Sequence, residues 1–456
     1  MKAATYRNYM VTVLAVILAF NYVDRTILGL TLQSIKRDLA LSDTQLGLLT
    51  GLAFALFYAV MGIPIARWAD RGNRVTIISL TATLWSVAVA LCGLAATFTQ
   101  LLLIRVAVAV GEAGCLPPAH SLIADYFDRA ERPRAVARYM LGGSLANVIG
   151  FLFAGWLNQL YGWRVTFMAL GLPGLGLAIL SRLSLKEPRR GTPPAEVAGV
   201  VRTRAAAACG AASPDAPSLA EVFAHLWGSR TFRNILLSFA ICAFFNYGIV
   251  QWQPVFFVRS FGVKTGELGT WFAVLFGVGG LLGTFFGGEL AARYAARNER
   301  LQLKVIAIVY GGVGLLTAFV YLSPNQYLAF AWTGLAGVAG AAANGPLFAT
   351  IQTLVPDRMR AMSIAIIYLS ANLIGMGLGP LAAGAMSDAF QPWAGDESLR
   401  YALLALSPGY VWGAWHLLRA SDTVTGDLAA LDAERAKAGP SRSPVPGAAD
   451  TASLAQ

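Results

Sequence analysis

Four ionisable residues interrupt runs that are otherwise apolar: Asp24 and Arg25 in one, Arg105 and Glu112 in another. Arg105 and Glu112 stand seven positions apart, about 700° of helical rotation, so a helix presents both on one face. A charge inside a bilayer costs roughly 2.5–3.5 kcal/mol on insertion scales, and for that reason faces a cavity or a partner. Depth arithmetic names the partner. At 1.5 Å per residue, Asp24 lies roughly 23 Å from the start of its run, and Arg105 roughly 8 Å from the start of its own, which begins on the opposite side. Across a ~30–35 Å span these depths coincide. The spacing predicts an Asp24–Arg105 pair, with Glu112 about 10 Å deeper on the same wall. Carboxyl groups in a low-dielectric cavity can take up and release protons near neutral pH. Asp24 and Glu112 are therefore the expected proton carriers, and Arg105 the partner of Asp24 or of an anionic head group.

The second half of the chain offers amides and aromatics in place of deep charges. Asn246, Tyr247, Trp252 and Gln253 fall in one apolar run, Asn344 in another, and Tyr368 and Asn372 in a third. Asn246 and Gln253 are again seven apart. Flanked by Phe244, Phe245, Phe256 and Trp271, these residues suit a ligand with both a polar and an apolar part; hydrogen bonding between helices is the plain alternative. Bond-making chemistry is not indicated. His120, His225 and His416 are isolated, and Cys92, Cys115, Cys209 and Cys242 lack metal-ligand spacing. There is no Walker loop. Neither enzymatic activity, nor a cofactor, nor a metal is expected.

The elements that must position these residues follow from composition. Of 456 residues, 56% are hydrophobic and 13% charged, with 47 glycines and a mean hydropathy of +0.59. Soluble domains carry about 25% charged residues, so these charges could not cover soluble surfaces, and a membrane protein is implied. Twelve apolar runs are long enough to cross a ~30 Å core: 9–31, 44–66, 75–97, 100–122, 136–158, 165–184, 233–256, 268–290, 304–322, 327–350, 361–386 and 399–418. The first carries Asn21, Asp24 and Arg25 and does not read as a cleaved signal peptide.

An even count puts both termini on one side. With that side cytoplasmic, 27 of 35 Lys and Arg residues are inside and six outside (Lys36, Arg37, Arg164, Arg259, Lys264, Arg400), which fixes the orientation by the positive-inside rule. The net charge of +11 is thereby topological, and no nucleic-acid partner is expected. Four regions follow: a six-helix bundle over 1–184, a cytoplasmic linker over 185–232, a second bundle over 233–420, and a disordered tail over 421–456. Within the linker, Ser218-Leu219-Ala220-Glu221 reads as a capping box opening a short amphipathic helix on the inner membrane surface.

The loop between runs two and three reads Ala66-Arg67-Trp68-Ala69-Asp70-Arg71-Gly72-Asn73-Arg74. It resembles the signature at this place in the major facilitator superfamily, with Ala66 in place of the usual glycine. The resemblance implies that Asp70 clamps the N-terminal end of a helix in the other half, beginning near Met359-Arg360. Arg71, Arg74 and, from loop 4–5, Arg134 join it in a cytoplasmic gate. A carboxylate at a helix N-terminus meets free N–H groups and a positive dipole end. Loop 8–9 (287–293) echoes the signature with Ala292 at the acidic position, and loops 4–5 and 10–11 also correspond, as expected of two related halves.

Asn21-Tyr22-Val23-Asp24-Arg25, Gly111-Glu112-Ala113 and Ile123-Ala124-Asp125-Tyr126-Phe127 resemble the Spinster branch of that superfamily, most strongly over 20–170. The resemblance implies two pseudo-symmetric six-helix bundles, and a proton-linked carrier of lysophospholipid- or sphingolipid-type amphiphiles. Asp24, Arg105 and Glu112 match its functional positions. The expectation is an all-α membrane protein with twelve transmembrane helices, a monomer in the cell membrane, moving an amphiphile by alternating access with protons. The alternatives are a proton-coupled symporter of small organic anions and a multidrug exporter. A symporter of anions would want a second cation in the cavity, which the C-terminal half does not supply.

Overall fold

The structure is a computed structural model that describes residues 3–128, 130–188, 219–294, 298–356 and 359–437. It is helical throughout those residues. Ten helical runs are long and apolar enough to cross a membrane. Two of them are too long to cross once. Arg132–Ser184 has 53 residues, roughly 80 Å of helix. Met362–Ala433 has 72, roughly 110 Å. Each doubles back at a glycine with positive φ: Gly162 at 79° and Gly395 at 55°, a region that L side chains avoid. The described residues therefore form twelve spans.

Six form the N-terminal half: α1 (Ala3–Leu39), α2 (Asp43–Thr50 and Leu52–Arg71, bent at Gly51), α3 (Arg74–Cys92), α4 (Phe98–Glu112 and Leu116–Tyr126), and α5 and α6, the arms of Arg132–Ser184. The C-terminal half holds α7 (Arg230–Phe261), α8 (Thr265–Phe272 through Gly279–Tyr294), α9 (Glu299–Leu322), α10 (Gln326–Thr353), α11 (Arg360–Ser370 through Gly379–Ala394) and α12 (Ser398–Leu406 and Gly409–Lys437). In α8 and α11 the middle widens into π-helical stretches, Ala273–Val278 and Ala371–Leu378.

The first span of each half packs against the fifth through glycines. A Cβ on Gly150 of α5 would stand 3.0 Å from Thr26 of α1, and one on Gly375 of α11 would stand 2.7 Å from Ala243 of α7. This shared pairing is what two related halves require. Large apolar side chains cover the outside, among them Ile308, Phe285 and Leu183; in water such a surface would aggregate, and in lipid it is the solvent-facing side.

One boundary differs from expectation. The last helix continues to Lys437 with Ser421 and Val424 buried, so 421–437 is ordered structure and not tail; Val424, Leu428 and Leu431 at helical spacing carry it inward. Residues 438–456 lie outside the described residues, as do 189–218 of the linker, including Cys209 and Ser218. The expected linker helix is present at Leu219–Gly228, with Phe223 and Trp227 exposed and stacked at 5.4 Å.

Candidate functional site

Helices α1 and α4 carry the charged set. The backbone of α4 approaches α3 closely because Gly111 abuts Trp85, where a Cβ would stand 2.6 Å from the Trp85 nitrogen. The first segment of α4 ends at Glu112. Arg105 Nη1 donates to Asp24 Oδ2 at 2.6 Å, the pair expected from depth. Glu112 departs from expectation. It does not lie about 10 Å deeper than the pair but against Asp24, and it accepts from Arg25 Nη2 at 3.1 Å. Asp24, Arg105 and Glu112 are all but inaccessible, whereas the Arg25 side chain is 28% exposed. Asp24 Oδ1 and Glu112 Oε1 are left without hydrogen-bond partners. Two adjacent carboxyl groups with one free oxygen each can hold a single proton between them.

Arg25 was not assigned a role from sequence, although a deep carboxylate beside Asp24 needs a cation within reach. Its guanidinium sits 4.8 Å from the Tyr22 ring centre, 4.9 Å from Phe54 and 5.4 Å from Tyr58. Such cation–π contacts contribute about 0.5–2 kcal/mol each. Arg25 Nη1 also reaches Met376 Sδ of α11 at 3.9 Å. Arg105 is enclosed, so Arg25 is the arginine that meets the other half.

Helices of the C-terminal half, with Asn147 and Phe151 of α5, line a cavity of about 630 Å³. Six of the seven polar or aromatic residues expected to line it do so: Asn246, Tyr247, Gln253, Asn344, Tyr368 and Asn372. Trp252 does not. It is fully buried, and its indole N–H donates to the Pro380 carbonyl at 2.9 Å, bracing α7 against α11. Phe348 joins Phe239 edge-on at 5.6 Å and stacks on Tyr368 at 5.3 Å. Asn246 accepts from the Tyr410 hydroxyl at 3.2 Å. Sequence reasoning missed Asn147, Thr317, Thr333 and Tyr410, which look like isolated polar residues in separate spans. Among the described residues, no lining side chain is charged. Tyr22 carries Arg25 on its ring.

At the end where α1 turns into α2, polar contacts tie the halves together. Arg259 of α7 donates from Nη1 to Asp43 Oδ2 at 2.7 Å, from Nη2 to Asp43 Oδ1 at 2.6 Å, and from Nε to Gln33 Oε1 at 2.7 Å. Lys36 and Ser387 also reach Asp43, at 2.6 and 2.7 Å. Asp388 of α11 accepts from the backbone N–H groups of Asp43 and Thr44 at 3.0 and 2.8 Å and from the Thr44 hydroxyl at 2.6 Å, capping the N-terminus of α2. A Cβ on Gly47 would lie 2.5 Å from the Pro380 carbonyl, so α2 and α11 are in backbone contact here. None of this latch was foreseen. Asp43 in a first helical turn reads as an ordinary capping-region carboxylate.

At the opposite end, where the termini lie, Asp70, Arg71 and Arg134 are exposed. Residues 357–358, before the helix start that Asp70 was expected to clamp, lie outside the described residues. Arg74 departs from the gate. It is fully buried, ion-paired with Asp125 at 2.5 Å and with Glu187, and donates to the Ser121 carbonyl at 3.0 Å. It locks loop 2–3 to the ends of α4 and α6 within one half.

The sequence pattern described as the Major Facilitator Superfamily matches residues 14–380. An "MFS-type efflux pump" of Mycolicibacterium smegmatis is 31% identical over 400 residues, 87% of this chain and 88% of that protein. A "probable L-galactonate transporter" of Escherichia coli is 24% identical over 373 residues, 81% of this chain and 80% of its own. In structure the chain is similar to a bacterial homolog of the human lysosomal transporter Spinster in an inward-facing, unoccupied conformation. The TM-score is 0.79 at 32% identity, covering 92% of this chain and 98% of that one.

Proposed function

The chain belongs to the Major Facilitator Superfamily, with Spinster homologs as structural neighbours, and on that premise we propose a proton-coupled carrier of single-chain amphiphiles. As a member of that family it is a membrane transporter acting on small molecules, not an enzyme. The observation that carries the finer reading is the cavity lining: stacked aromatics interleaved with uncharged amides and hydroxyls. A volume of about 630 Å³ falls within the ~300–1,000 Å³ of ligand pockets. Such a lining suits a molecule with an alkyl part and a compact polar part, and disfavours a small dianion, which would be desolvated without a counter-charge.

Transport proceeds by alternating access between bundles 1–184 and 233–420, the second extended by the helix to Lys437, joined by the linker 185–232. With the termini cytoplasmic, as the basic residues argue, the Asp43 latch seals the outer side and the protein is open inward. Asp24 and Glu112 share the transported proton. Proton entry leaves Arg25 without its full counter-charge, and Arg25 passes this to Met376 of α11 in the other half. Asp70, Arg71 and Arg134 close the inner side in the opposite state. The working unit is a monomer.

Export of varied apolar compounds is the second reading, favoured by the efflux pump at 31% identity. Reconstituted vesicles with and without an imposed pH gradient test both. Offered a lysophospholipid, a small organic acid and a cationic dye, they should move the lysophospholipid in a gradient-dependent way. Dye transport alone would favour the second reading, and organic-acid transport alone would overturn both.

A further inference from the structure

Toward one end of the cavity two buried polar side chains keep an unpaired atom. Gln253 lies eight residues before the end of α7, and Thr333 seven after the start of α10. Both therefore sit roughly 10–12 Å from the latched end. Both line the cavity, are at least nine-tenths buried, and leave a polar atom unpaired: Gln253 Oε1 and Thr333 Oγ1. The Tyr321 hydroxyl lies beside Gln253. The aromatic part, Phe239, Phe348 and Tyr368, lies toward the other end of the same helices.

Buried polar groups are almost always hydrogen-bonded, and those left bare in a cavity mark where a ligand completes them. An amide oxygen needs a donor; a threonine hydroxyl both donates and accepts. A hydroxyl or carboxamide on the ligand satisfies both. An alkyl terminus satisfies neither. A charged group would be buried where no described lining residue bears a counter-charge. We propose that Gln253 and Thr333 form a polar subsite at the closed end of the cavity that takes an uncharged hydroxyl- or amide-bearing group of the substrate. Its apolar chain lies back among Phe239, Phe348 and Tyr368. This rests on the reading of the cavity as the amphiphile site.

The test is scintillation-proximity binding of tritiated 1-monododecanoylglycerol to the purified full-length protein, with unlabelled methyl dodecanoate and dodecyl phosphate as competitors. The glycerol ester is expected to bind about tenfold more tightly than the methyl ester. In Gln253→Met and Thr333→Val that preference should collapse to near parity. Because each substitution removes an unpaired polar atom at similar volume, the ligand-free thermal midpoint should stay level or rise. A fall in midpoint would mean the side chains serve the fold, and would overturn the subsite. So would an unchanged preference in both variants, or tighter binding of the phosphate, while the amphiphile reading stands. Absence of binding by all three probes would overturn that reading and the subsite with it.

Discussion

Asp43 and Arg259 meet across the two halves through a two-pronged contact, 2.7 Å from Nη1 to Oδ2 and 2.6 Å from Nη2 to Oδ1. Both side chains are nearly inaccessible to water, so the contact ties the two bundles together at this end. Hydrogen bonds to charged groups contribute about 1.5–3 kcal/mol each. Arg259→Ala should shift the population toward the opposite-facing state by tenfold or more. Spin labels placed at the α1–α2 and α7–α8 turns would report it as a longer distance; an unchanged distribution removes the latch from the gating equilibrium.

Helices α2 and α11 run antiparallel, and each carries a carboxylate toward its C-terminal end. Asp388 caps α2 at one face, and Asp70 stands at the end of α2 at the other. Asp388→Asn and Asp70→Asn are expected to move the same distance distribution in opposite directions, each by about 1 kcal/mol. Shifts of the same sign would sink the two-gate reading.

Arg105→Ala leaves Asp24 buried without its cation, and breaking a buried pair costs about 3–5 kcal/mol. A fall in thermal midpoint and loss of transport should follow. The double variant Asp24→Asn with Arg105→Met should recover the midpoint and remain inactive. Recovery of pH-driven flux in it would take this pair out of coupling.

Glu112→Gln keeps a hydrogen-bond acceptor for Arg25 but cannot take up a proton. Exchange down a substrate gradient should persist while uptake or export driven by a pH gradient falls to the level without one. Full pH-driven flux in both Glu112→Gln and Asp24→Asn would remove proton sharing from the mechanism.

Trp252→Phe deletes the indole bond to Pro380 and should cost about 1 kcal/mol in stability, read from the thermal midpoint. Substrate affinity should stay within about twofold, because the ring does not line the cavity.

What could be read from sequence is what lipid enforces. Continuous apolar runs are required to span a bilayer, so all twelve helices were visible, and so was a carboxylate–arginine pair whose depths matched. Residues with long-range partners were misread. Arg74 looked like a gate arginine because its neighbours form the loop signature, yet its partners Asp125 and Glu187 lie 51 and 113 positions away. The role of Asp43 in joining the halves was overlooked because Arg259, the second of its cations beside Lys36, is 216 positions away. Trp252 is adjacent to Gln253 but points about 100° round the helix, which puts it against α11 rather than the cavity.

The buried set of Asp24, Arg25, Arg105 and Glu112 counts two positive and two negative formal charges. Empty, it is electrically silent; holding one proton, it is a single positive charge deep within the bilayer. Moving one charge through a full membrane potential is worth about 2.3 kcal/mol per 100 mV. On the proposed proton sharing, voltage would act on the loaded form of this protein and not on the empty one, and would bias only one leg of the cycle.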